Sequence, residues 1–134
     1  MRSKKPIRVL ICNKYTLLRA GIRALFPQGG DIEVVGEVVT ARQAIDFVGR
    51  LRPDVVLLDA TTPKLTCPEA TRRLKALDPH IKVLIVTMGD GDEDATFISG
   101  CLRAGAAGYV RKNDGAVKLK SAILHVCRSG ANAA

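Results

Sequence analysis

Five short apolar runs, Ile7 to Cys12, Ile32 to Val35, Val55 to Leu58, Val83 to Val86 and Gly108 to Val110, alternate along the chain with longer segments of helical periodicity. In the longer segments apolar residues recur every three to four positions: Leu18, Ile22 and Leu25; Ala41, Ala44, Ile45 and Val48; Ala70, Leu74 and Leu77; Phe97, Cys101 and Leu102; Leu119, Ile123 and Val126. Strict alternation of strand and helix requires right-handed crossovers, which predicts an α/β fold with a parallel sheet covered by helices on both faces. Such a core suits a chain of 134 residues with 4% aromatics and no Trp, because Val, Leu, Ile and Ala must fill it. Helix punctuation agrees. Pro68 suits a first helical turn, Gly105 and Gly130 can close the helices before them, and Gly29-Gly30-Asp31 reads as a turn.

Parallel sheets of this kind place their sites at the carboxyl ends of the strands, beside the point where strand order reverses. Those ends carry Asn13 and Lys14, then Asp59, then Thr87, then Lys112. Four polar clusters are therefore expected on one rim.

Composition excludes several classes. The net charge of +8 is spread over the helices with no long basic run, no aromatic interleaving and no finger or helix-turn-helix pattern, so this segment is not expected to contact DNA directly. Cys12, Cys67, Cys101 and Cys127 are widely spaced, without a paired C-x-x-C arrangement for zinc or redox work, and read as reduced and mostly buried. No apolar run reaches the roughly 18 residues of a membrane span, and the first residues lack a signal peptide's apolar segment, so a cytoplasmic protein with no membrane partner is expected. Residues 1–130 read as one domain, and 131–134, small and polar, as the start of a linker.

From Ile7 through Gly130 the chain resembles the receiver domains of bacterial response regulators. The stretch Pro53 to Asp59, followed by Pro63 and Glu69 to Leu74, is similar to their phosphorylation-site region, and Arg103 to Lys112 to their final strand. Arg19 to Leu25, with Ile32 to Glu37, is similar to the NarL/LuxR-type subfamily, whose receivers precede a helix-turn-helix DNA-binding domain. The resemblance implies a CheY-like, flavodoxin-like (βα)5 fold with strand order 2-1-3-4-5. It also implies Asp59 as phosphoacceptor, Lys112 as phosphate-binding lysine, Thr87 as switch hydroxyl and Tyr109 as the aromatic coupled to it. In that chemistry a histidine kinase donates the phosphoryl group, and magnesium held by carboxylates neutralises the developing charge.

One departure stands out. The family's acidic pair after the first strand is replaced here by Asn13 and Lys14. An ammonium about 5 Å from a dication is repelled by several kcal/mol even at an effective dielectric near 20. Weak or absent magnesium binding is expected, with no other cofactor, and Lys14 is expected to pair with Asp59 in the metal's place. Asp90, Asp92, Glu93 and Asp94 could supply substitute acids, but acids at a helix start are favoured by its dipole and read better as capping residues.

The expected function is that of a signalling module and not an enzyme: an atypical, phosphorylation-independent receiver controlling its own C-terminal DNA-binding domain through conformation, homodimerisation or a small-molecule ligand. The first alternative is ordinary phosphorylation of Asp59 by a histidine kinase. A remoter one is a flavodoxin-like cofactor protein, which the absence of a Ser/Thr/Gly-rich phosphate loop at Asn13 to Leu17 disfavours.

Overall fold

The computed structural model describes residues 5–61, 64–87 and 95–129. Pro63, the acids Asp90, Asp92, Glu93 and Asp94, Gly130 and the expected linker lie outside the described residues. Five parallel strands, β1 (Ile7–Cys12), β2 (Ile32–Val38), β3 (Val55–Asp59), β4 (Lys82–Thr87) and β5 (Gly108–Arg111), form one sheet in the order β2-β1-β3-β4-β5. Five helices connect and follow them: α1 (Thr16–Leu25), α2 (Ala41–Leu51), α3 (Cys67–Leu77), α4 (Ala95–Arg103) and α5 (Ala116–Ser129).

The side-chain period of 2 divides the strands between two cores. Leu10, Val56, Leu58, Val83 and Ile85 face α2, α3 and α4, with Ala44, Val48, Leu74 and Cys101 packed against them. Val9, Ile11, Val55, Leu57, Leu84 and Val110 face α1 and α5, with Ile22, Leu119, Ile123 and Val126 against them. Three residues expected in the helical stripes turn outward: Leu25, Leu77 and Leu102 are 39%, 57% and 44% exposed. Leu25 and Leu77 lie one step past the last buried positions, Ile22 and Leu74, in the final turns of their helices. Leu102 follows buried Cys101 and is rotated about 100° around the helix from it.

Local chemistry sets the helix ends. Thr40 and Gln43 form a reciprocal capping box at the start of α2, and Thr66 caps α3 by accepting from the Glu69 N–H, with Pro68 in the first turn as expected. At the other end of α2 the Arg8 guanidinium donates to the carbonyl of Leu51 at 2.6 Å, giving a β1 side chain the task of satisfying a helix terminus. Gly105, at φ +116°, closes α4, where a side chain would meet both backbone strain and the Lys75 stem. Gly36 has a different reason. A Cβ there would lie 2.9 Å from Leu51 Cδ1, so β2 and α2 approach closely only because the position is bare.

β2 runs three residues beyond the apolar run that predicts it, to Val38, with one register shift against β1 between Val9 and Leu10. The polar residue Glu37 lies within that extension, which is why an apolar-run criterion stops short of it.

Candidate functional site at the carboxyl rim of the sheet

Strand order places β3 at the centre, between β1 and β4, so the last residue of β3 is flanked by the ends of both neighbours. That residue is Asp59, 3% exposed; Asn13 after β1 and Thr87 at the end of β4 are 4% and 2% exposed. A carboxylate, an amide and a hydroxyl are thus buried together on one rim.

Their hydrogen bonding differs. Asp59 Oδ1 accepts from both the backbone N–H and the hydroxyl of Thr61, each at 3.0 Å. Asp59 Oδ2 is buried and has no hydrogen-bond partner among the described residues, which is costly for a carboxylate oxygen. Asn13 accepts twice, its Oδ1 from the Tyr15 N–H at 2.8 Å and its carbonyl from Arg19 Nη1 at 2.6 Å, and its own N–H donates to the Val38 carbonyl at 3.0 Å. Arg19 also binds Glu37 Oε1 at 3.2 Å, and Arg23 binds Oε2 of the same carboxylate, fastening α1 to β2. The two arginines, Arg23 foremost, hold the Glu37 carboxyl below its ordinary range.

Thiols lie around the same aspartate. Burial, with a smaller contribution from the Asp59 charge, pushes Cys12 up to about 12. Cys67 is raised further, by burial first, then by Cys101, with Asp59 adding to it. These thiols stay protonated at neutral pH, and Cys12, Cys67 and Cys101 are all buried, as the sequence predicts.

The cations expected at the rim are placed differently. Lys14 is exposed, and its Nζ lies 5.3 Å from the centroid of the Tyr15 ring. Among the described residues no ion pair joins it to Asp59, so the expected pairing is corrected. The physical reason is the loop: Asn13 closes a tight turn on Tyr15, and the long lysine chain following it turns out toward solvent and the aromatic face. Lys112 is also exposed; it opens a short 3-10 turn, Lys112–Asp114, and lines a groove between α1 and α5. Tyr109 is 41% exposed and points outward, with the Arg111 guanidinium 5.8 Å from its ring centroid.

Among the described residues no three His, Cys, Asp or Glu side chains gather where they could hold a metal ion. Among the described residues the rim offers one carboxylate, that of Asp59, and an amide oxygen, that of Asn13, which accepts from the Tyr15 N–H. Two participants escape sequence reading. Thr61 follows Asp59 at the spacing of an Asx turn and could have been found from it. The Arg19–Glu37–Arg23 clasp spans two elements and leaves no local signal.

With this geometry the class is defined. Residues 9–124 match the model of the response regulator receiver domain family, and the chain belongs to that family. Over 117 residues it is 37% identical to the response regulator GacA of Pseudomonas viridiflava, covering 87% of this chain and 53% of that protein. It is 31% identical over 129 residues to the transcriptional regulatory protein DegU of Brevibacillus brevis, covering 96% and 53%. A crystal structure of a LuxR-family two-component response regulator from Aurantimonas sp. SI85-9A1 superposes with a TM-score of 0.84 at 29% identity, over 93% of this chain and 87% of that one. The chain spans about half the length of the curated relatives it matches. It is thus a receiver domain related to LuxR-type response regulators. Among the described residues no helix is long and apolar enough to cross a membrane.

Proposed function

We propose that this receiver operates in the cytoplasm without aspartyl phosphorylation or magnesium, and that its conformation, its self-association or a small ligand controls a DNA-binding domain C-terminal to it. The observation that carries this reading is the replacement of the acidic pair by Asn13 and Lys14, with Asn13 Oδ1 committed to the Tyr15 N–H. Phosphoryl transfer to Asp59 would develop negative charge on oxygens that no dication offsets, and electrostatic stabilisation is the main catalytic contribution to that reaction.

One observation favours the second reading, ordinary phosphorylation of Asp59 by a histidine kinase. Asp59 Oδ2 has no hydrogen-bond partner among the described residues and could serve as a nucleophile. Treatment of the protein with acetyl phosphate in millimolar magnesium separates the two readings by intact mass. The proposal expects an unshifted mass and no saturable magnesium-dependent changes in the amide spectrum around Asp59. A stoichiometric gain of one phosphoryl group, lost in Asp59→Asn, establishes the second reading.

A further inference from the structure

At the end of the sheet opposite to Asp59, where β1, β3 and β4 begin, a cavity of about 590 Å³ opens between the last turns of α2 and α5. Its charge is one-sided. Lys5, Arg8, Arg50, Arg52 and Lys82 line it, and Asp54 is the one carboxylate among its lining residues. Among the described residues none of the five cations joins an ion pair.

Two of the cations are placed at the cavity by independent contacts. The half-buried Arg8 guanidinium is pinned, Nη2 donating to the Leu51 carbonyl at 2.6 Å and Nε to the Arg52 carbonyl at 3.4 Å. Those carbonyls orient the fork without neutralising it, and Nη1 keeps its donors free of any acceptor among the described residues. Lys82 opens β4 and is half-buried. Burial and then the Asp54 charge raise the Cys127 thiol in the cavity wall while Lys82 opposes them, so both charges lie near that wall. Lys82 also crowds Lys75, whose ammonium is held below its ordinary range by burial first and by Lys82 second. Arg50 is set apart, because its guanidinium lies over the Phe47 ring, 4.9 Å from the centroid. The ends of α2 and α5 each contribute about half a negative charge, which with Asp54 still leaves the cations in excess.

We propose that this basal cavity binds a short phosphate chain, either inorganic or the di- or triphosphate of a nucleotide, with Arg8 and Lys82 on the phosphate oxygens. Several uncompensated cations in one concavity call for several closely spaced negative charges, which a phosphate chain carries and a single carboxylate does not. Arg8 supplies a fixed fork and Lys82 a compact point charge, the two modes by which proteins hold phosphate. The volume falls in the range of roughly 300–1,000 Å³ found for small-ligand sites, whereas a nucleic-acid strand would need an extended basic track. Lying at the far end of the sheet from Asp59, the site goes beyond the reading given above and stands whether or not that aspartate is phosphorylated.

The test uses the 134-residue chain in magnesium-free buffer with inorganic tripolyphosphate, ATP, adenosine, and sulfate at matched ionic strength, followed by amide spectra and thermal midpoint. Tripolyphosphate should give saturable shifts at Ile7, Arg8, Asp54 and Lys82, leave Asp59 and Lys112 unmoved, and bind at least about tenfold more tightly than sulfate. Adenosine should not bind. ATP tighter than tripolyphosphate identifies a nucleotide as the ligand, and equal or weaker ATP binding identifies the inorganic chain. Lys82→Gln should weaken tripolyphosphate about tenfold, whereas Lys118→Gln, the same loss of charge at an exposed position of α5, should leave it unchanged. Asp54→Asn keeps an acceptor for the Arg8 N–H and should tighten binding about fivefold, a gain that a damaged fold would not produce. Equal binding of sulfate and tripolyphosphate, equal losses in Lys82→Gln and Lys118→Gln, weaker binding in Asp54→Asn, or shifts centred on the carboxyl rim would each overturn the proposal. So would a single-stranded oligonucleotide that outcompetes tripolyphosphate with shifts spread over the helices. Acetyl phosphate labelling is read separately by mass, since a labelled Asp59 overturns the phosphorylation-independent reading and leaves the basal site standing.

Discussion

The two faces of the sheet are built to different standards of closure. On the face of α2, α3 and α4, Ala41, Ala44, Ala70 and Leu74 are at 0% exposure, and helix packs on helix as well as on the sheet. Small alanines at the contacts let these helices approach closely, and interior density follows. On the face of α1 and α5 the helices are kept apart at one end by the groove, and α1 is fastened to the edge of the sheet by the Arg19–Glu37–Arg23 clasp as well as by Ile22. The same sheet thus supports a closed core on one side and a partly open, electrostatically fastened layer on the other. A family site at the rim sits between the two.

That contrast breaks most visibly under identical truncations on the two faces. Leu74→Ala, at a site with no exposure, should cost about 4 kcal/mol, whereas Leu119→Ala, beside the groove, should cost about 2.5 because the lost methyls already border open space. Chemical denaturation of the two variants measures it, and equal costs would mean the faces are equally closed. The clasp should matter less. Glu37→Gln should destabilise by about 1 kcal/mol, since the network is partly exposed. Its sign with pH is fixed by the depressed carboxyl: the stabilisation is full above the ordinary Glu value of about 4.3 and is lost as pH falls through the lower folded value. Wild type should therefore lose its advantage over Glu37→Gln only in acid. The smallest perturbation is chemical labelling. Of the four thiols, half-buried Cys127 on α5 should react first with iodoacetamide, with Cys12, Cys67 and Cys101 protected until global unfolding, as peptide mapping would show. Early labelling of Cys67 would place an opening on the face taken here as closed.

Strand existence and rim position were legible in the sequence because period-2 and period-3.6 patterns act locally and dominate burial, whereas the strand order came from the resemblance to receiver domains. Ile7–Cys12 is a strand over the whole run that predicts it, and Asp59 and Thr87 end adjacent strands as expected. What failed was side-chain direction. Neighbouring strand ends make it feasible for Lys14 to reach Asp59, but the Asn13 turn and the Tyr15 ring decide where a flexible four-carbon stem goes, and both are properties of the folded loop. The groove beside Lys112 was not legible either, because a groove is an absence of side chains that no single residue announces. Leu25, Leu77 and Leu102 show the limit of periodicity itself, which gives a face but not the point at which a helix runs past its cover.

The strand order has one further consequence, for assembly. A sheet that ends in β2 and β5 leaves two strands with unpaired backbone on one side, the template on which another chain could stack. Each end is spoiled differently. β2 shifts register against β1 between its Val34 and Gly36 and bears Glu33 and Glu37. β5 is only four residues long and shows an exposed Tyr109 and a basic Arg111. Two copies meeting at their β5 edges would bring Arg111 toward Arg111, and at their β2 edges would meet the register shift, so the chain carries strands rich in Val, Ile and Leu without offering a regular edge for fibrous growth.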